Sequence, residues 1–315
     1  MSQPLVSVVL PTFNRLRFLK PAVESVFLQS FQDWELIIAD DGSDEDTRAY
    51  LRTLPAPQVK ILWLPHCANP SRLRNAAIRA SGGRYIALLD SDDVWAAAKL
   101  ERQVQAMDSA PHCGWSYTLE NFIDETGGPY TRARLRTFPP KSGWIFESLL
   151  KLEVAMSMPT ILATAELLGR IGGFDEQLKF GEWHDLSLRL ALASEVLVVA
   201  EPLCAVRMHD EHYTADRMHE QLGWLQLYRK MRDLVAEPEL REYCSRVCAD
   251  TALYIARLQM AQGAYADALT VLTETSPLAR GFPSWWWGVL KEIARPFIPR
   301  RLLASTRKAG PKALP

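Results

Sequence analysis

The run Tyr85-Ile86-Ala87-Leu88-Leu89-Asp90-Ser91-Asp92-Asp93-Val94-Trp95 decides how this chain is read. A short continuous apolar stretch predicts a strand buried on both faces. Three carboxylates within four positions follow it, held together at a strand end, where they repel one another unless a cation neutralises them. Hard oxygen donors of this kind suit Mg2+ or Mn2+, ions that keep part of their water and complete their shell with substrate phosphates. The same acidic run also suits the N-terminus of a helix beginning near Trp95. Taken alone, it does not separate the two readings.

The preceding residues repeat one unit. Leu5 to Leu10 reads as a buried strand stopped by Pro11, and Phe18 to Ser30 carries apolar residues at helical spacing. Trp34 to Ala39 is a second strand, closed by the turn residues Asp40-Asp41-Gly42-Ser43, and Asp44 to Leu54 predicts a helix with an acidic first turn. Val59 to Leu64 is a third strand, and Ser71 to Ala80 a helix capped by Ser71 and closed near Gly82-Gly83. Four such alternations predict an α/β fold with a parallel, doubly covered sheet. In such sheets ligands sit beyond the carboxyl ends of the strands, where Pro11-Thr12-Phe13, Asp40-Asp41 and Asp90 to Asp93 all fall. Three loops are thus expected to converge on one crevice.

Bulk composition narrows the partners. The 315 residues are 48% hydrophobic and 23% charged, enough for a large core or two ordinary ones. Thirty-six basic residues against 37 acidic give a net charge of -1, so no nucleic-acid partner is expected. Five cysteines without a Cys-x-x-Cys pair argue against a disulfide framework and a zinc site, and place the chain in a reducing, cytoplasmic compartment. No signal peptide or spanning helix is expected, because the longest apolar run, Leu186 to Val206, is broken by Arg189, Glu195 and Glu201.

Beyond residue 110 the pattern becomes mixed: Cys113 to Leu119 is strand-like, Gly127-Gly128-Pro129 a turn, and Gly143 to Leu152 a short amphipathic helix. From Tyr213 onward only helices are expected, over Gln221 to Val235, Leu240 to Gln262 and Tyr265 to Glu274, with a boundary near 210 to 216. The tail from Lys291 carries seven basic residues against one acid, Glu292, and follows Trp285-Trp286-Trp287. Indole rings at a wet boundary followed by cations point to peripheral contact with an anionic membrane, ahead of a core-packing role.

Four strings together carry a family resemblance: V-S-V-V-L-P-T-F-N-R at 6 to 15, W-E-L-I-I-A-D-D-G-S-D at 34 to 44, R-N-A-A-I-R-A-S-G-G-R-Y-I-A-L-L-D-S-D-D-V-W at 74 to 95, and G-G-F-D-E at 172 to 176. In this order and spacing the sequence resembles the family 2 glycosyltransferases, inverting enzymes of the GT-A fold. The resemblance, spanning roughly residues 5 to 210, implies a nucleotide-sugar-binding half over 1–110 and an acceptor-binding half over 111–212 of a GT-A domain; the helical pattern from Tyr213 onward adds a C-terminal region over 213–315. It implies a nucleotide-diphosphate sugar donor, commonly a uridine one, and a glycan or lipid-linked glycan acceptor, in polysaccharide or cell-envelope glycan synthesis at the inner face of a membrane. Pro11, Thr12 and Phe13 would line the nucleoside pocket, Asp40 or Asp41 would hydrogen-bond the base, and Arg74 would lie beside the base or diphosphate. Asp90 and Ser91 would approach the ribose and the metal, Asp92 would be the principal ligand of Mn2+ or Mg2+, with Asp93 supporting the loop, and His209 would reach the metal or diphosphate.

Inverting transfer needs a general base for the acceptor hydroxyl. In the family it comes from an acidic pair before a helix, and here the corresponding stretch is Gly181-Glu182-Trp183-His184-Asp185-Leu186-Ser187-Leu188-Arg189. Trp183 stands where the second acid is usual, which leaves Glu182 as the expected base and Asp185, one turn further, as the alternative. The substitution also raises a second reading, a silent protein that binds donor without transferring it. A nucleotidyltransferase would need a Gly-rich phosphate loop after the first strand, and Pro11-Thr12-Phe13-Asn14-Arg15 contains no glycine.

Overall fold

The computed structural model describes residues 3–130, 138–178, 180–209 and 217–294. The chain divides into two units, Met1–Gln177 with Glu182–His212, and Leu178–Gly181 with Tyr213–Pro315. The boundary expected near 210 to 216 falls outside the described residues.

The first unit opens with β1 (Val6–Thr12), α1 (Leu16–Phe27), β2 (Trp34–Asp40), α2 (Glu45–Arg52), β3 (Val59–Trp63), α3 (Pro70–Ala80) and β4 (Tyr85–Leu88). β1 pairs in parallel with β2 on one side and β4 on the other, and β2 pairs in parallel with β3. The chain therefore builds outward through β2 and β3 and then returns to lay β4 on the far side of β1. That reversal opens a crevice at the carboxyl ends of β1 and β4. Their apolar side chains are almost wholly buried, in a core that also takes Leu19, Val23 and Val26 of α1.

β5 (Val94–Trp95), α4 (Lys99–Ser109), β6 (Cys113–Ile123), α5 (Phe146–Leu150), β7 (Ile161–Thr164), α6 (Ala165–Arg170), α7 (Glu182–Ala193) and β8 (Glu195–Arg207) complete this unit. One sheet of eight strands results, in the order β3-β2-β1-β4-β7-β6-β8-β5. β7 runs antiparallel to β4 and to β6, so the sheet is mixed beyond its parallel half.

Three local expectations are corrected. β1 runs through Pro11 to Thr12. The Val9 carbonyl accepts from Leu89 N–H on the β4 side; Pro11 faces that same side beyond the end of β4, so its missing N–H breaks no ladder bond. The cap of α3 is Asn69, whose side chain accepts from Arg72 N–H, with Pro70 in the first turn; Ser71 is buried inside the helix. Trp95 begins no helix: Val94 and Trp95 pair antiparallel with Ala205 and Cys204, and α4 starts only at Lys99. The acidic run 90–93 is thus a link between two strands and caps nothing.

The second unit is helical: α8 (Arg217–Leu234), α9 (Pro238–Ala261), α10 (Tyr265–Thr275) and α11 (Pro283–Ala294). α9 is its centre, packing against each of the others, with Cys244, Cys248, Ala252, Ile255 and Ala256 buried along one stripe. Phe180 of the short segment 178–181 packs edge-on against Trp224, close enough that a Cβ on Gly223 would lie 2.6 Å from its own. All five cysteines are free thiols.

Candidate active site

Two consecutive residues after β1, Asn14 and Arg15, adopt the left-handed conformation with φ of 54° and 57°. Such backbone is costly outside glycine and persists only where its surroundings fix it. Here the fixing is mutual: Asn14 N–H donates to Ser43 Oγ at 2.8 Å, and Asp44 N–H donates to Asn14 Oδ1 at 2.8 Å. The turn thereby ties the loop after β1 to the loop after β2 and delivers Arg15, whose Nη1 lies 2.9 Å from Asp92 Oδ2.

The loop after β2 is itself an anchor. Asp40 accepts from Ser43 N–H through both oxygens, at 3.3 and 3.4 Å, and Asp41 accepts from Cys67 N–H at 2.8 Å and Ala68 N–H at 3.0 Å. His66 Nδ1 lies 2.9 Å from Asp41 Oδ2, and its ring stacks on Phe13 with centroids 4.2 Å apart. Phe13 is 42% exposed, whereas Asp40 and Asp41 are buried, as are Pro11 and Thr12. The sequence reading expected Asp40 or Asp41 to face a base. In the structure the two acids fix the loops, and the surface presented outward is the Phe13–His66 stack.

The acidic run lies where β1 and β4 diverge. Asp92 Oδ2 meets both Arg15 Nη1 and His209 Nε2, the latter at 3.0 Å; the imidazole stacks on Phe18 with centroids 4.9 Å apart. Asp93 is buried and accepts from Arg207 N–H at 2.8 Å, while Arg207 Nε donates to the Asp92 carbonyl at 2.9 Å. Burial first, then the neighbouring Asp92 and Asp90 carboxylates, hold the Asp93 carboxyl well above the usual carboxylate range. Ser91 is buried between them. Asp92 Oδ2 and His209 Nε2, 3.0 Å apart, are one oxygen and one nitrogen donor of the kind that suits Mn2+ or Mg2+, with the Asp90 and Asp93 carboxylates held separately by Arg74 and Arg207.

Arg74, on α3, joins this cluster to the other half of the unit. Its Nη2 donates to Asp90 Oδ1 at 2.6 Å and its Nη1 to Glu182 Oε1 at 3.3 Å, with only 7% of the side chain exposed. The guanidinium also lies over the Phe174 ring, 5.3 Å from its centroid. Phe174 is placed by Asn75, whose Oδ1 accepts from Phe174 N–H at 2.8 Å and whose Nδ2 donates to the Phe174 carbonyl and to Glu176 Oε1, both at 2.9 Å. The Gly-Gly turn before it needs φ of 80° and 68°, and a Cβ on Gly173 would lie 2.6 Å from Asn75 Oδ1. The string Gly172 to Glu176 is therefore a clamp on α3 that steadies Arg74.

The two expected acids of α7 part company. Glu182, the first residue of the helix, keeps a fifth of its side chain exposed and pairs with Arg74. Asp185 is wholly buried and bonded to Arg189, whose Nη1 donates to the carbonyls of Ile171 and Gly173 at 2.9 and 2.7 Å. Asp185 thus braces the Gly172–Glu176 clamp, which argues against the alternative assignment of the base. Two cations absent from the expected set, Arg15 and Arg207, prove central. Arg15 had a signal, its place directly after Pro11-Thr12-Phe13-Asn14; Arg207 had none, since its partners lie 83 and 115 residues away.

Residues 7–152 match the family model described as glycosyl transferase family 2, and this segment is a family 2 glycosyltransferase domain. A glucosyltransferase of Escherichia coli, WfgD, described as UDP-Glc:alpha-D-GlcNAc-diphosphoundecaprenol beta-1,3-glucosyltransferase, is 36% identical over 107 residues, 34% of this chain and 42% of its own. The chain spans 29%, 42% and 51% of the length of three curated relatives that it matches. S. aureus TarS 1-349, solved with UDP-GlcNAc, superposes with a TM-score of 0.63 at 14% identity, covering 88% of this chain and 92% of that one. A mannosyltransferase of Pyrobaculum calidifontis, solved with GDP-Man and Mn2+, gives 0.58 at 18% identity, over 93% and 85% of the two chains. These likenesses show the GT-A fold, followed here by C-terminal helices.

Proposed function

We propose that the chain is an inverting glycosyltransferase that moves a sugar from a nucleotide-diphosphate donor, a uridine one, to a hydroxyl of a glycan or lipid-linked glycan. The observation that carries the reading is the single buried guanidinium of Arg74 that touches both Asp90, in the acidic run, and Glu182, at the start of α7. It sets donor-side and acceptor-side acids a fixed distance apart across one crevice.

The nucleoside rests against the Phe13–His66 stack, with Pro11, Thr12 and the Asp40–Asp41 turn behind it, and the ribose lies toward Asp90 and Ser91. Asp92 and His209 would hold Mn2+ or Mg2+, which when bound supplies positive charge to the diphosphate as it leaves. Arg15 and Arg74, both bonded to acids of the same loop, add cationic charge on the phosphate side. Glu182 takes the proton of the acceptor hydroxyl while that oxygen bonds to the anomeric carbon; the bond from that carbon to the diphosphate oxygen breaks and its electron pair leaves with the nucleotide. Attack opposite the departing group inverts the configuration. UDP-GlcNAc in TarS and a diphosphoundecaprenol acceptor for WfgD support the donor and acceptor classes, and the setting is polysaccharide or cell-envelope glycan synthesis at the inner face of a membrane.

Trp183, where the family resemblance implies an acid, favours a second reading, a protein that binds donor without transferring it. Assaying release of nucleoside diphosphate from UDP-sugars separates the two. Turnover that disappears in Glu182→Gln, with nucleotide affinity kept, supports transfer; nucleotide binding without any turnover in the wild type supports the silent binder.

A further inference from the structure

We propose that the outer face of α11 is a membrane-seating surface for anionic lipid. The three tryptophans of Trp285-Trp286-Trp287 differ in exposure, although the Trp285 and Trp286 rings meet edge-on with centroids 4.9 Å apart. Trp285 is buried and its indole N–H donates to the Ala249 carbonyl at 2.6 Å, which locks α11 onto α9. Gly288 allows the close approach, since a Cβ there would meet Leu253 at 2.5 Å. Trp287 and Leu290 are 66% and 56% exposed, and Trp286, whose indole N–H donates to the Ala279 carbonyl at 3.1 Å, keeps 41% of its surface open. Their spacing of three and four residues gathers them on one stripe, and exposed Lys291 adjoins it.

Charge points to the occupant. The stretch from Lys291 onward contains seven basic residues and one acid, and that acid, Glu292, is turned inward against Arg257 Nε at 2.7 Å. The positive charge of Lys291 is therefore presented outward with no acidic neighbour from its own segment, while the six further cations at 295 to 312 lie outside the described residues. An apolar stripe with aromatic rings beside an exposed cation, in a segment whose sequence is strongly basic, is the composition of a helix lying in a lipid headgroup layer. α11 is about 18 Å long, well short of the ~30 Å of a bilayer core, so it lies along the surface. Among the described residues no helix is long and apolar enough to cross a membrane. The inference deepens the proposed membrane setting but stands apart from sugar transfer, because lipid binding is read without donor or acceptor.

The test is co-sedimentation of the full chain with phosphatidylcholine vesicles that contain or lack phosphatidylglycerol, for the wild type and for a Trp287→Ala, Leu290→Ala double variant. The expected result is binding to the anionic vesicles alone, weakened by added salt and roughly tenfold weaker in the variant. Both side chains are more than half exposed, so the variant keeps its fold, and a thermal midpoint equal to that of the wild type, both without ligand and with UDP and Mn2+, verifies this. Absent binding of the wild type to anionic vesicles, or undiminished binding in the variant, overturns the proposal. So does a wild-type dimer in sedimentation velocity that the double variant breaks, which would assign the stripe to a second copy of this chain.

Discussion

The crevice at the ends of β1 and β4 and the outer face of α11 handle exposure in opposite ways. In the crevice, Asp92, Asp93 and Arg74 are at least nine-tenths buried and each has oppositely charged or hydrogen-bonding partners. On α11, apolar rings lie open beside Lys291, the one exposed cation of that helix among the described residues. Buried charge is costly unless paired, and open apolar surface is unfavourable unless covered. The contrast motivates the two proposals, a metal and diphosphate in the first region and an anionic lipid surface in the second.

Substitutions in the crevice should have the largest effects. Asp92→Ala, which removes the carboxylate shared by Arg15 and His209, is expected to lower kcat by about 10³-fold, measured as nucleoside diphosphate released from a UDP-sugar. Glu182→Gln keeps the shape of the contact with Arg74 but cannot accept a proton, so kcat should fall roughly 10²- to 10⁴-fold with KM for donor little changed. Arg74→Ala leaves Asp90 and Glu182 without their shared cation and should lower stability by about 3 kcal/mol in chemical denaturation. Arg74→Lys should recover part of the stability but little of the activity, because one ammonium cannot fork to two carboxylates.

A smaller effect comes from behind the crevice. Lys99 is wholly buried, its Nζ bonded to Gln103 Oε1 at 2.6 Å and lying 4.2 Å from the Trp95 ring centroid. Burial pushes its ammonium down to about 7 from 10.5. Between those values the unfolded chain binds a proton that the folded chain does not, so the folded state gains stability as pH rises from about 7 toward 10. Below pH 7 the cost of the buried charge is fully present. Lys99→Met should therefore stabilise the protein at pH 6.5 by a few kcal/mol, an advantage that shrinks toward pH 10, followed by urea midpoints across that range.

How much of this was legible in the sequence follows from the range of each interaction. β1, β2 and β4 could be read because a buried parallel strand is a local apolar run, and the strand-end acids follow from it. The alternation of units then placed three loops on one edge. What stayed hidden depended on distant partners: β5 exists only because Val94 and Trp95 find Ala205 and Cys204, and Asn75 holds Phe174 across 99 residues. Asp185 and Glu182 look equivalent in sequence, three positions apart in one helix; only the place of Arg189 beside one and Arg74 beside the other separates a brace from the proposed base. The sidedness of Trp285 to Trp287 was likewise invisible until α9 supplied an inner face.

The most direct test of the central claim is a thermal-shift series of UDP, GDP and dTDP with and without Mn2+, on the wild type and on Asp92→Ala. The account predicts that UDP with Mn2+ raises the midpoint of the wild type, and that neither UDP alone nor the Asp92→Ala protein shows the rise. An equal rise in Asp92→Ala, or no response of the wild type to any nucleotide with Mn2+, would contradict it.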